Sequence, residues 1–298
     1  MKYLLILLAL LYPWQINAAA TKWVDFTLHN GHIYIPVTIE GIESHAILDS
    51  GAQLHGINKA FVGKNELELS KGPKIRVQGV HEVMKRTSYN QLKIELFGTE
   101  FLLDKVVESS LGHHSTGLLL GSGFFQPFIV QLDYPNKKIR ILTRDTVDMD
   151  KVSNVNSTAD RQRGMPIAEV LVNEKPFWFL VDTGSSGSIL MERRYASQAG
   201  LLENIEGSTS SRGVNGFGTQ DFATADVVGF GPYDIRDVKV RFPSEGEKTY
   251  LESQYSSTKS RIKGKKVVGI IGYDLFQHFI ITLEYKEGRV HIALPKKD

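Results

Sequence analysis

Three features of this 298-residue chain predict an all-β fold of two homologous, barrel-like lobes with a cleft between them. The first is texture. Short runs such as "HIYIPVTIEG" (32–41), "KIRVQGV" (74–80), "LKIELFG" (92–98) and "DVKVRF" (237–242) are rich in Val, Ile, Phe, Tyr and Thr and are broken by Gly, Pro and Asn. That is the pattern of strands and turns, and helical periodicity is confined to short pieces such as "RRYASQAGLL" (193–202). The second feature is an internal repeat, and the third is a strand–turn unit that occurs twice and ends alike each time.

The N-terminus comes before all of these. "MKYLLILLALLYPWQINAAATKW" sets one Lys ahead of an apolar run from Tyr3 to Tyr12, a Pro-containing break, and Ala18-Ala19-Ala20. The run is too short to cross a bilayer comfortably, and the small residues suit a signal peptidase. Residues 1–20 are therefore expected to be an export signal, leaving a soluble mature chain with no stable membrane insertion, periplasmic or secreted. The sequence has no cysteine. An exported protein without disulfides must hold its fold by its core, which fits a bacterial periplasm better than a eukaryotic secretory route. A formal charge of +2 argues against a nucleic-acid partner. The cluster "KSRIKGKK" (259–266) reads as a solvated loop.

The opening β-hairpin "WVDFTLHNGHIYIPV" (23–37) leads into "IPVTIEGIESHAILDSGA" (35–52), which has the same layout as "MPIAEVLVNEKPFWFLVDTGSS" (165–186). Each unit is a strand, a turn, a second apolar strand, and then Asp-Ser/Thr-Gly. Asp49 and Asp182 lie 133 positions apart. Further on, Gly79-Val80 in "RVQGVHEV" (76–83) matches Gly213-Val214 in "SRGVNGFG" (211–218) at an offset of 134. The longest match pairs "LLGSGFFQPFIVQLDYPNKKIRI" (119–141) with "IIGYDLFQHFIITLEYKEGRVHI" (270–292) at a constant offset of 151. The offset grows by 17 through the polar stretch 243–266. Between the halves, 149–163 is polar and reads as a linker, giving an N-terminal lobe over 21–148 and a C-terminal lobe over 164–298.

Asp-Ser-Gly and Asp-Thr-Gly are ordinary turn tripeptides when they occur singly, because Asp bonds its own backbone and Gly accepts φ > 0. Two of them on homologous halves point to chemistry. Two carboxyl groups about 3 Å apart cannot both stay ionised, so they share a proton (the coupling for which aspartic-protease dyads are the standard example). The ionised member can activate a water while the protonated one polarises a carbonyl. The apolar runs Ala46–Leu48 and Phe179–Val181 would hold each Asp from below. Ser50 and Thr183 could cross-link the turns, and Gly51 and Gly184 keep Cβ atoms away from the carboxylates.

With these motifs in place, the chain resembles the two-lobed aspartic proteases of the pepsin/retropepsin superfamily, in a bacterial exported form. "ILDSGA" is close to the retroviral version of the motif and "LVDTGSS" to the pepsin version. Leu119-Leu120-Gly121 and Ile270-Ile271-Gly272 match the family's hydrophobic-hydrophobic-Gly element, which supports the Asp turn. The resemblance implies an aspartic endopeptidase with Asp49 and Asp182 as the catalytic pair. Ser50, Gly51, Thr183, Gly184 and Ser185 would support it, with the Ser185 hydroxyl a candidate hydrogen-bond donor that Ala52 cannot match. It also implies a flap, for which Gly79, Val80, His81, Gly213, Val214 and Asn215 are the candidates. The flap Tyr of the pepsin branch is missing from 78–84. No metal or cofactor is expected, and His113-His114 lacks a third ligand at recognisable spacing. The expected partner is a peptide or protein substrate, taken by a monomer. The alternative is a catalytically silent peptide- or partner-binding protein on the same fold.

Overall fold

The structure, a computed structural model, describes residues 20–78, 83–161, 163–213, 216–247 and 265–296. Residues 1–19, and with them nearly all of the expected export signal, lie outside the described residues, as do 248–264 of the polar stretch.

The first half contributes β1 (Val24–Asp25), β2 (Thr27–His29), β3 (His32–Ile39), β4 (Ile42–Leu48), β5 (Gly56–Asn58), β6 (Ile75–Gln78) and β7 (Val83–Arg86). It continues through β8 (Ser88–Tyr89), β9 (Leu92–Leu96), β10 (Thr99–Leu103), β11 (Val106–Ser109), β12 (Thr116–Leu120), β13 (Ile129–Asp133) and β14 (Lys138–Leu142). Short helices α1 (Lys59–Lys64), α2 (Ser122–Phe125) and α3 (Met149–Val152) punctuate it. The second half runs through β15 (Ser157–Ala159), β16 (Pro166–Val172), β17 (Lys175–Val181), β18 (Ile189–Met191) and α4 (Arg193–Gln198). It ends with β19 (Gly207–Gly213), β20 (Gly216–Phe230), β21 (Tyr233–Pro243), β22 (Val267–Ile271), α5 (Tyr273–Phe276), β23 (Ile280–Glu284) and β24 (Arg289–Ala293). Residues 149–163 hold α3 and β15, and β15 pairs with β16.

The chain is all-β with two lobes. In the second, the sheet runs β15-β16-β17-β22-β18-β21-β20-β19, and an added β16–β20 pairing closes it into a barrel. In the first, the path is β10-β9-β3-β4-β12-β5-β11-β8, with β2 flanking β3. Strand alternation sets the inward face. Along β3, Ile33, Ile35, Val37 and Ile39 are buried, while His32 and Tyr34 turn the other way, onto the wall of the cleft. β22 (VVGII) is buried at every residue, as expected for a central strand covered on both faces.

A third sheet, β1-β14-β13-β23-β24, draws strands from both halves. Its central pair aligns Ile129 with Glu284 and Asp133 with Ile280, and at its middle Gln131 Nε2 donates to Thr282 Oγ1 at 2.8 Å. These two strands are repeat partners, so the ladder joins equivalent elements around an approximate twofold axis. Buried Phe125 and Phe276 from α2 and α5 lie at equivalent points on either side, with Tyr285 stacked on Phe125 at 5.6 Å between ring centroids.

Candidate active site

Each carboxylate turn is built the same way. β4 runs parallel to β12, with Ile47 opposite Leu119 and Leu48 opposite Leu120. β17 runs parallel to β22, with Leu180 opposite Ile270 and Val181 opposite Ile271. The apolar run therefore buries the strand, and the chain turns where Asp49 N–H donates to Leu120 O and Asp182 N–H donates to Ile271 O, both at 3.0 Å. The hydrophobic-hydrophobic-Gly elements sit beside the turns they were expected to support. Ser122 N–H then donates to Ala52 O, and Tyr273 N–H to Ser185 O, each at 2.8 Å.

Four hydrogen bonds tie the turns together. Ser50 Oγ donates to Val181 O at 2.8 Å and accepts from Thr183 N–H at 2.9 Å. Thr183 Oγ1 donates to Leu48 O at 3.0 Å and accepts from Ser50 N–H at 3.0 Å. Ser50 and Thr183 are fully or almost fully buried, so all four bonds are made away from water.

The cross-link brings Asp49 and Asp182 together. A Cβ built on Gly51 would lie 2.4 Å from Asp182 Cγ, and one on Gly184 would lie 2.3 Å from Asp49 Cγ. Only glycine lets each turn approach the opposite carboxylate so closely. The two carboxyls hydrogen-bond each other, and both sit on the floor of a cleft of about 840 Å³. Burial holds Asp49 well above the usual carboxylate range, and the Asp182 charge pushes it further up. Burial also raises Asp182, opposed by N–H groups of Gly184, Gly51 and Ser185 and by the hydrogen bond from Asp49.

The structure places the sequence candidates as follows. Asp49, Ser50, Gly51, Asp182, Thr183 and Gly184 form one cluster. At Ser185 the backbone N–H serves the Asp182 carboxylate, and Ala52 N–H does the same for Asp49. Gly79, Val80, His81, Val214 and Asn215 lie outside the described residues, while Gly213 ends β19 opposite Gly216. The hairpin strands leading to both tips line the cleft, through Arg76, Val77 and Gln78 on one side and Ser210 and Ser211 on the other.

Three residues beside the pair escaped the sequence reading. The His32 ring hydrogen-bonds the Gly184 backbone, and burial holds it below the usual imidazole range. Tyr285 OH donates to Ser50 O at 2.9 Å, underpinning the first turn from the second half. His55 Nδ1 accepts from Gly121 N–H at 3.2 Å, where the second lobe uses the Ser188 carbonyl to hold Gly272 N–H at 3.0 Å. The Tyr134/Tyr285 identity in the repeat was the available signal for Tyr285. His32 and His55 left no trace in the sequence.

Residues 168–275, which include Asp182 and its supporting element, match the family model for aspartyl proteases. The match supports an aspartic protease of the pepsin/retropepsin type. The matched span covers most of the second lobe of this aspartyl-protease fold, and the first lobe repeats its Asp turn, its cross-linking hydroxyl and its supporting Gly. No curated protein matches the chain.

Proposed function

We infer that this aspartyl-protease family member is an endopeptidase that hydrolyses peptide bonds with Asp49 and Asp182 acting as one catalyst. The observation that carries this reading is the reciprocal packing of each carboxylate against the other lobe's glycine, with a hydrogen bond between the two acids. One proton is shared between Asp49 and Asp182, both raised by burial, and it belongs to the pair rather than to either residue. The ionised member takes a proton from a water held between the carboxyls as that water's oxygen bonds to the substrate carbon. The protonated member gives its proton to the carbonyl oxygen. The resulting gem-diol collapses by breaking the C–N bond, and the amine leaves with a proton returned by the pair. The substrate would lie extended between the hairpin edges of the two lobes.

Both acids come from one chain, so a monomer suffices. We place the lobes at 21–148 and 164–298 and assign residues 1–20 to export. A silent binding protein would gain nothing from burying two carboxyls that repel each other.

The test is cleavage of casein or a peptide library between about pH 3 and 8, with and without pepstatin, in wild type and Asp182→Asn. Loss of at least about 1,000-fold in kcat is expected for the variant, and cleavage that survives the substitution sinks the mechanism. The raised carboxyls also set a sign for stability. Their protonated form is favoured by folding, so their stabilising contribution is present below the ordinary carboxylate range and is lost as pH rises. Asp182→Asn should therefore be more stable than wild type at pH 7, by about 1–2 kcal/mol, with the gap closing toward pH 4.

A further inference from the structure

The two lobes differ at one matched position on the walls of the cleft. In the first lobe Leu119 pairs with Gly56, and Gly56 pairs with Val107. In the second, Ile270, the repeat partner of Leu119, pairs with Leu190, and Leu190 pairs with Arg241. Val107 and Arg241 are therefore structural equivalents, and both line the cleft. The first lobe lines the cleft with Tyr34, Ile47, Leu111 and Leu119 alongside Ser109 and Ser110. The second lines it with Leu190 and Ile270 beside Ser186, Gly187, Ser210, Ser211 and Gln220. The Arg241 guanidinium occupies space that Gly187 leaves open, where an added Cβ would meet Nη1 at 3.2 Å.

Arg241 alternates outward along β21 between buried Val240 and Phe242. It forms no salt bridge with any described residue. The acid that feels its charge most directly is Asp274, which is exposed. Arg76 and Arg163 also line the cleft, and among the described lining residues the only acids are Asp49 and Asp182. Arg241 thus adds a positive charge to the Asp182 side of a cleft whose described acids are the proton-sharing pair. Such a cleft attracts anionic segments and rejects cationic ones.

We propose that Arg241 is a specificity-determining residue that binds an acidic side chain of the substrate on the Asp182 side, while the Val107 wall takes an apolar one. The preferred peptide then carries Asp or Glu on one side of the cleaved bond and a large apolar residue on the other. This rests on the endopeptidase reading above. Guanidinium–carboxylate contacts are strong where water is partly excluded, and a neutral isostere at that subsite leaves Arg241 facing the substrate without a partner.

The experiment uses the full chain and C-terminally amidated peptides, so that a side chain supplies the only carboxylate near the cut. Wild type should cleave a Glu peptide with kcat/KM about ten-fold above its Gln twin, mostly through KM, and the gap should shrink with salt. Arg241→Gln should abolish the ratio, Arg241→Lys should keep much of it, and Arg241→Glu should turn the preference toward Lys and Arg, with thermal melts confirming that each is folded. Equal rates on the Glu and Gln twins in wild type, or an unchanged ratio in Arg241→Gln, overturn the proposal. The same peptides are titrated by fluorescence anisotropy against Asp182→Asn. If nothing is cleaved yet this variant binds Glu over Gln in an Arg241-dependent way, the subsite stands and the endopeptidase reading falls. If it binds both alike, the subsite falls.

Discussion

Thr183 and Ser50 each donate one hydrogen bond across the lobes and accept another, so removing either hydroxyl strands a buried backbone N–H as well as losing a bond. Thr183→Ala should cost about 2–4 kcal/mol in denaturant unfolding, while Thr183→Ser should cost under about 1 kcal/mol and keep activity. Equal losses from the two variants would show that the methyl, not the hydroxyl, matters. His55 gives a pH dependence of opposite sign to the acid pair. Burial lowers its pKa from 6.5 to about 4, and the neutral ring is the form that accepts from Gly121 N–H. Protons then bind the unfolded chain more readily, so this contribution to stability is complete above pH 6.5 and drains away as pH falls toward 4. Its ceiling is about 3 kcal/mol. His55→Asn, which keeps an acceptor near Gly121, should lose less Tm than wild type between pH 7 and 4.5 in matched melts.

Among the elements, the contrast is between β22 and the β6–β7 hairpin. β22 is buried throughout and paired on both sides, by β17 and β18. Among the described residues, β6 and β7 pair only with each other, as a two-stranded sheet. Isolated two-stranded ribbons are marginal in water, so this hairpin should open locally at far lower free energy than the strands beneath it. Amide exchange at Ile75–Gln78 and Val83–Arg86 should be at least about 100-fold faster than at Val267–Ile271, and bound peptide should slow it, because Arg76, Val77 and Gln78 line the cleft. Protection equal to that of β22 would mean the hairpin is locked.

For the molecule as a whole, the repeat does not make two independent units. The β13–β23 ladder, the Ser50–Thr183 cross-link and the Tyr285–Ser50 bond all connect first half to second. Loss of either half would expose a sheet edge and leave buried polar groups unpaired. Calorimetry should therefore record one transition, with calorimetric and van't Hoff enthalpies nearly equal. Two resolved transitions would show that the lobes unfold separately.

The sequence by itself determined the all-β class, the duplication, and which two acids end their strands on matching turns. All of these are written in local pattern: strand alternation, turn chemistry, and identities held in one register. Tertiary structure alone decided that the second sheet closes on itself, that a third sheet is shared between the halves, and that the carboxyls meet. It also decided that Val107 and Arg241 hold equivalent places in the lining of the cleft, and that a histidine stands in for a carbonyl behind Gly121. Those outcomes depend on contacts between residues more than 50 positions apart, and an i, i+2 pattern records which face a residue takes without recording what it will meet there.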